Sequence, residues 1–262
     1  MLLIGKQPAE QLYEGMDRRI QLAPSVPGLF ALYDPDDKPA GWYLRSIQRA
    51  GASHGIPVYA RPFSEGVQRP REPLGGMIVL SKTPEPIPIP DELDVDGTGA
   101  NSFSVLYKGG LKDYPRTTPC TAEACVRLLD YYGVPVSGRH AVILGRSLTV
   151  GRPLAMLLLD RNATVTLCHS KTINLPEICR QADILVVAAG KAGMVTKDFV
   201  SPGQTVLDVG IHVDADGNMC GDTVFAEVEP IVDKITPVPG GVGSCTTAIL
   251  ASHVIDAAEK TL

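Results

Sequence analysis

His140-Ala-Val-Ile-Leu-Gly-Arg-Ser-Leu-Thr-Val-Gly-Arg-Pro153 is the stretch on which the reading of this chain turns. His140–Leu144 is a continuous apolar run, as expected of a strand buried on both faces. Gly145 ends it and allows a tight turn, and Gly151 allows a close backbone approach. Pro153 suits the first turn of a helix running over Pro153–Arg161, with Leu154, Leu157 and Leu158 on one face. A strand, a glycine turn and a helix N-terminus together make a phosphate site, because unpaired N–H groups and the positive dipole end point at the ligand. The spacing departs from G-x-G-x-x-G, so an ordinary strand–helix turn remains the alternative.

The residues after the turn narrow the ligand. A dinucleotide site that prefers the unphosphorylated ribose carries Asp or Glu about 20 residues on, at the end of the second strand. Here that strand, Thr164–Cys168, runs into His169-Ser170-Lys171, and Arg146 stands at the mouth of the first turn. Hydroxyl, imidazole, ammonium and guanidinium groups favour a 2′-phosphate, and hence NADP over NAD. A solvated polar loop is the alternative.

Working outward, Thr121 is placed to cap a helix carrying Ala122, Cys125, Val126, Leu129 and Tyr132, ended by Gly133. Further strands are expected at Asp183–Ala189, Thr205–Val209 and Ile235–Val238, and a short helix at Leu175–Gln181. Alternating strands and helices predict an α/β fold with a parallel sheet covered on both faces. A last helix, Thr246–Lys260, places Leu250, Val254, Ala257 and Ala258 on one face. The first half is richer in proline: strands at Gly28–Tyr33 and Met77–Leu80, a helix over Gly41–His54 stopped by Gly55, and loop through most of Ile56–Leu74.

Composition excludes several classes. The 262 residues suffice for two modest domains; 44% are hydrophobic, and the net charge is −5 with both signs interspersed. No basic stripe calls for nucleic acid or an anionic membrane surface. No apolar run nears the ~20 residues of a bilayer-spanning helix, and no secretory leader is evident at Met1–Ile4. Six scattered cysteines with no C-x-x-C pair predict idle thiols in a reducing compartment, the cytoplasm, and no metal site. His140, His169 and His212 are spread apart with no Ser/Asp partner pattern, and Cys120 reads as a packing residue at a helix entry rather than a nucleophile.

Longer motifs carry a resemblance. Gly145–Pro153, His169-Ser-Lys-Thr172, Pro237-Val-Pro-Gly-Gly-Val-Gly243, Pro119-Cys-Thr121 and Asp94-Val-Asp-Gly97 resemble the bifunctional methylenetetrahydrofolate dehydrogenase/methenyltetrahydrofolate cyclohydrolase family. The resemblance implies a smaller α/β folate domain (residues 1–118 plus 246–262) and a Rossmann-like NADP domain (119–245), with a cleft between them. It also implies a homodimer acting on a tetrahydrofolate-type substrate. It assigns Arg146, Ser147 and Ser170 to the NADP phosphates, beside the Gly145, Gly151, His169 and Lys171 that the turn and the second strand already point to. It places Tyr43, Pro239, Gly240, Gly241 and Val242 near the substrate, and matches Asp96 to the carboxylate that binds the pterin ring.

The same resemblance marks departures. The family's catalytic lysine, four residues after the tyrosine, is here Ile47, and its supporting glutamine is Leu80. Ser244 and Cys245 replace a proline and a methionine. Without the lysine, cyclohydrolysis loses its proton-moving group, whereas hydride transfer moves no proton. Lys82, two positions beyond Leu80, is the candidate substitute on the same face of an extended segment, against the plainer reading of a surface lysine. Three readings follow: a folate dehydrogenase using NADP, an oxidoreductase on another small substrate, and a catalytically silent NADP-binding protein.

Overall fold

The structure, a computed structural model, describes residues 1–22, 25–109, 118–214 and 216–259. In chain order the elements are α1 (Lys6–Leu22), β1 (Gly28–Tyr33), α2 (Lys38–His54), β2 (Val58–Pro62), β3 (Leu74–Val79), α3 (Ala100–Lys108), α4 (Cys120–Tyr131), β4 (His140–Leu144), α5 (Gly151–Asp160), β5 (Thr164–Cys168), α6 (Leu175–Arg180), β6 (Ile184–Val187), β7 (Thr205–Asp208), β8 (His212–Val213), β9 (Met219–Cys220), α7 (Phe225–Val228), β10 (Lys234–Ile235) and α8 (Val242–Glu259). The chain divides into two compact units. The first holds Met1–Pro8 and Thr121–Thr246, with a short piece beginning at Val105; the second holds Ala9–Ser104, Cys120 and the chain from Thr247 on.

The first unit is built on a five-stranded sheet in the order β10-β7-β6-β4-β5, every pairing parallel. Every residue of β6 and β7 is buried; β6 accordingly reads as an unbroken apolar run, and β7 sets Val206 and Leu207 between Thr205 and Asp208. Val142, Leu144, Leu185, Val187 and Val206 form the centre of its core. From β4 the chain moves to β5 on one side and then returns to β6 on the other. The carboxyl ends of β4 and β6 therefore flank a topological switch point, where open parallel sheets bind ligands. Beyond β7 a two-stranded antiparallel ribbon, β8-β9, leads to α7.

The second unit has a three-stranded parallel sheet in the order β2-β1-β3. Phe30, Leu32, Met77 and Leu93 make the centre of its core. Helix α2 starts three residues before the sequence predicts. The Asp37 side chain accepts from the Ala40 N–H at 3.1 Å and Pro39 fits the first turn, while Gly55 ends the helix at φ +74°.

Three sequence expectations are corrected. The stretch read as loop contains β2, an edge strand whose proline stands at its last position, where a missing donor costs little. Helix α1 was not read, although Ala9, Met16 and the half-buried Leu12, Tyr13 and Ile20 repeat at helical spacing; α3 was not read either. Helix α8 begins at Val242, four residues before the expected Thr246, so the glycine turn runs straight into it. Lys260 and the side chain of Ala258, both named for this helix, lie outside the described residues. No described helix is long and apolar enough to cross a membrane.

Leu144 closes β4 at 2% exposure, directly before the turn. Leu144→Ala should cost ~2–5 kcal/mol of unfolding free energy, the usual range for emptying a tight site. Chemical denaturation checks this, with the exposed Leu159→Ala as a control expected to fall within about 0.5 kcal/mol.

Candidate functional site

Two groups of side chains stand out, one in each unit. In the first unit the turn after β4 is a set of backbone contacts that leave no room for side chains. Gly145 has φ +128°, and a Cβ built on it would lie 2.0 Å from the Ala188 carbonyl oxygen. A Cβ on Gly151 would lie 2.0 Å from the Gly145 carbonyl oxygen. Gly151 is therefore required by the turn itself, before any ligand approaches. The Gly145 N–H donates to the Cys168 carbonyl at 3.0 Å, tying the turn to the end of β5.

Ser147 and α5 complete the cradle. The Ser147 hydroxyl oxygen accepts from the Val150 N–H at 3.0 Å and the Gly151 N–H at 3.4 Å, capping the helix. Its own O–H stays available to donate. Arg146 and Ser147 are exposed, as are Ser170 and Lys171 after β5, and His169 is half-buried. The His169 Nδ1 accepts from the Lys171 N–H at 3.1 Å, and the His169 N–H donates to the Thr172 hydroxyl at 2.9 Å. Those bonds fix the tight turn at the strand end and leave Nε2 as the ring's donor. The end of β5 thus presents an imidazole, a hydroxyl and an ammonium with no carboxylate among residues 169–171. These groups suit a phosphorylated ribose: donors and cations at a helix N-terminus, beside a turn only glycine can form.

The turn before α8 belongs to the same unit. Pro239 and Gly240 are exposed, whereas Gly241 and Val242 are buried, Val242 at 3%. The Val242 side chain is thus a core residue, and only its backbone can meet a ligand. The Gly5 N–H donates to the Gly240 carbonyl at 2.8 Å, holding the turn against the start of the chain.

The second unit gathers Tyr43, Asp96, Cys120 and His253. The Tyr43 hydroxyl is sealed from solvent and has no hydrogen-bond partner among the described residues. Burial pushes its pKa well up, and the neighbouring Asp96, Cys120 and Tyr13 add to the rise. Burial also raises the Asp96 carboxyl to about 6; hydrogen bonds from Cys120 oppose this, the Asp94 charge reinforces it, and His253 opposes it. A buried hydroxyl without a partner among the described residues, beside a half-buried carboxyl, is a costly arrangement for a folded chain, and a ligand bearing polar edges relieves it.

The two aspartates of Asp94-Val-Asp-Gly97 do different work. Asp94 accepts from the Thr98 N–H at 3.0 Å, the Gly99 N–H at 2.9 Å and the Ser102 hydroxyl at 2.6 Å, and so organises the start of α3. Asp96 is the one left facing Tyr43. Cys120 is wholly buried at the start of α4, and its thiol donates to the Val95 carbonyl at 3.2 Å, in keeping with a packing role. His253, on α8, shares that carbonyl through Nδ1 at 2.9 Å. Sequence reasoning missed His253, since nothing in the spacing joins it to a carbonyl 158 positions away.

Ile47 and Lys82 fall outside this group. Ile47 is 4% exposed and lines a small apolar cavity with Leu29, Val58, Leu250 and Val254. Lys82 is exposed in the loop after β3 and is not among the groups acting on Asp96 or Tyr43.

The raised carboxyl has a measurable consequence. With a folded pKa about 6 against an ordinary 3.8, the folded state holds a proton that the unfolded chain has released between those values. The contribution of Asp96 to stability is present at low pH and falls as pH rises through about 6. Asp96→Asn should flatten that part of the stability-against-pH curve, as read by thermal melts in a pH series.

Comparison with known proteins agrees with this geometry. Residues 119–262 match the model of the tetrahydrofolate dehydrogenase/cyclohydrolase NAD(P)-binding domain. A relative from Carboxydothermus hydrogenoformans, named bifunctional protein FolD, is 50% identical over 262 residues, covering 98% of this chain and 85% of that protein. The crystal structure of the bifunctional FolD methylenetetrahydrofolate dehydrogenase/cyclohydrolase of Campylobacter jejuni superposes with a TM-score of 0.84 at 31% identity, covering 100% of this chain and 99% of the other. The Trypanosoma brucei enzyme, crystallised with NADP cofactor and an inhibitor, gives 0.85 at 28% identity, covering 98% and 95%. With its parallel sheet, its glycine turn and a close relative matched along nearly all its length, the chain belongs to the tetrahydrofolate dehydrogenase/cyclohydrolase family.

Proposed function

We propose that this protein is an NADP-dependent methylenetetrahydrofolate dehydrogenase of one-carbon metabolism in which cyclohydrolase activity is weak. The observation that carries the proposal is the pairing of two features: a glycine turn whose neighbouring strand end offers a lysine ammonium and no carboxylate, and a buried hydroxyl beside Asp96 that has no partner among the described residues. Family membership supplies the substrate class.

In this reading Arg146, Ser147, Ser170 and Lys171, with His169 behind them, hold the NADP phosphates, and Gly145 and Gly151 let the backbone close on them. The nicotinamide, when bound, supplies a hydride acceptor. Asp96, ionised at neutral pH with a pKa about 6, accepts paired hydrogen bonds from the ring N–H and amino group of the pterin. Tyr43 donates its hydroxyl hydrogen to the substrate, which satisfies the group that folding leaves unpaired. Pro239 and Gly240 offer exposed backbone to the same ligands. Holding the methylene carbon in place is the chain's main contribution, because loss of hydride leaves a cation and moves no proton.

Hydrolysis of the methenyl product is different, since it needs water activated and protons moved. Ile47 has no group that does this, and its side chain is packed into an apolar wall. Lys82 is read as a surface residue. The assembly is proposed to be a homodimer, after the family resemblance. A cytoplasmic location is proposed because all six cysteines are free.

Purified protein mixed with methylenetetrahydrofolate and NADP should form NADPH and the methenyl product together, followed by absorbance. Added methenyltetrahydrofolate should be hydrolysed ~10²–10⁴-fold more slowly than by a lysine-bearing relative, the usual worth of a general acid–base group. Hydrolysis at the relative's rate would overturn the second half of the proposal, and NADP binding without turnover would overturn the first. Arg146→Ala should raise KM for NADP about tenfold while changing KM for NAD little, in line with loss of one charge-assisted phosphate contact. Lys82→Ala should leave both activities unchanged.

A further inference from the structure

The loop after β6 forms the other wall of the switch point. Its first residue, Ala188, donates its N–H to the Leu144 carbonyl at 2.8 Å and presents the carbonyl oxygen that excludes a side chain at Gly145. Two residues on, the loop is held by a carboxylate from elsewhere in the unit. Asp222, wholly buried after β9, accepts from the Gly190 N–H at 2.9 Å and the Lys191 N–H at 2.9 Å. Its Oδ1 also meets His212 Nε2 at 2.6 Å.

Beneath this carboxylate lies another. Asp208, at the end of β7, accepts from the N–H groups of Gly210, Asp222 and Thr223 and from the Thr223 hydroxyl, so its capacity is used. Gly210 and Gly221 allow the stack, since a Cβ on either would lie 2.5 Å or less from a carboxylate atom. The Asp222 charge is therefore buried over a second acid, with His212 the imidazole set against it. The His212 side chain is 23% exposed and sits on the short ribbon β8.

We propose that His212 is a positioning residue for the dinucleotide site, acting through Asp222 on the backbone of Gly190 and Lys191. This rests on the proposed NADP reading of the Gly145 turn. The imidazole N–H takes the second acceptor site of Oδ1, beside the Lys191 amide, and fixes the carboxylate plane from which both amides hang. Without it the carboxylate is held at this end by the two amides alone, and the loop facing the turn is anchored less firmly. The fold itself does not depend on this bond, because the sheet contacts of β6 and β7 lie beyond it.

The test compares His212→Ala with His212→Gln, whose amide N–H reaches about as far as Nε2. NADP affinity by titration calorimetry should weaken about tenfold in His212→Ala, as expected for a hydrogen bond to a buried charge, and stay within about threefold in His212→Gln. KM for the folate substrate should not move. The Gly190 and Lys191 amides should exchange faster in His212→Ala than in wild type or His212→Gln. If His212→Ala does not fold, His212→Phe keeps the ring's bulk and removes both nitrogens. Unchanged NADP affinity and unchanged exchange in a folded variant would overturn the inference, as would equal losses in Ala and Gln variants. Failure of the wild-type protein to bind NADP would instead overturn the underlying reading of the turn.

Discussion

One contact governs the first unit: the backbone of Gly145 against the backbone of Ala188. The two strands that end there, β4 and β6, are neighbours in the sheet, and the chain leaves them in opposite directions. Any side chain at 145 would meet a carbonyl oxygen at 2.0 Å, and any at 151 would meet the next carbonyl at the same distance. Such contacts cannot be relieved by a rotamer change, because both partners are main chain in a close-packed interior. The N-terminus of α5 is placed by these approaches, and so is the loop whose amides hang from Asp222.

The second unit solves a different problem. Its polar groups are held ready at a cost to the fold. Asp94 spends its acceptor capacity on Thr98, Gly99 and Ser102, and that leaves Asp96, a half-buried acid, as the one whose charge acts on the buried Tyr43 hydroxyl. A raised carboxyl pKa and a partnerless hydroxyl are the signature of a site organised for a ligand rather than for stability. Cys120 and His253 converge on the Val95 carbonyl, the peptide between the two aspartates, and so fix the segment that aims Asp96.

How much of this could be read from sequence follows from the range of each interaction. The middle of the five-stranded sheet was legible because β6 and nearly all of β4 are buried apolar runs, and the turn was legible because its glycines lie six residues apart in one segment. The absence of a carboxylate after Cys168 was legible for the same reason. The edge strand β2 was hidden by a proline that an edge tolerates, and α1 by a weakly apolar face. Long-range pairings had no sequence signal: His212 looked like one of three scattered histidines, and only the β8-β9 ribbon brings it onto Asp222, ten residues on. His253 reaches Val95 only through the fold.

The loss of the lysine at position 47 makes physical sense beside the loss of the glutamine at position 80. Ile47 is buried in an apolar wall with Leu29, Val58, Leu250 and Val254. An ammonium there would need a partner to offset its desolvation, whereas an isoleucine packs without one. Hydride transfer needs placement rather than proton movement, and Asp96, Tyr43 and the glycine turn all lie outside that apolar wall.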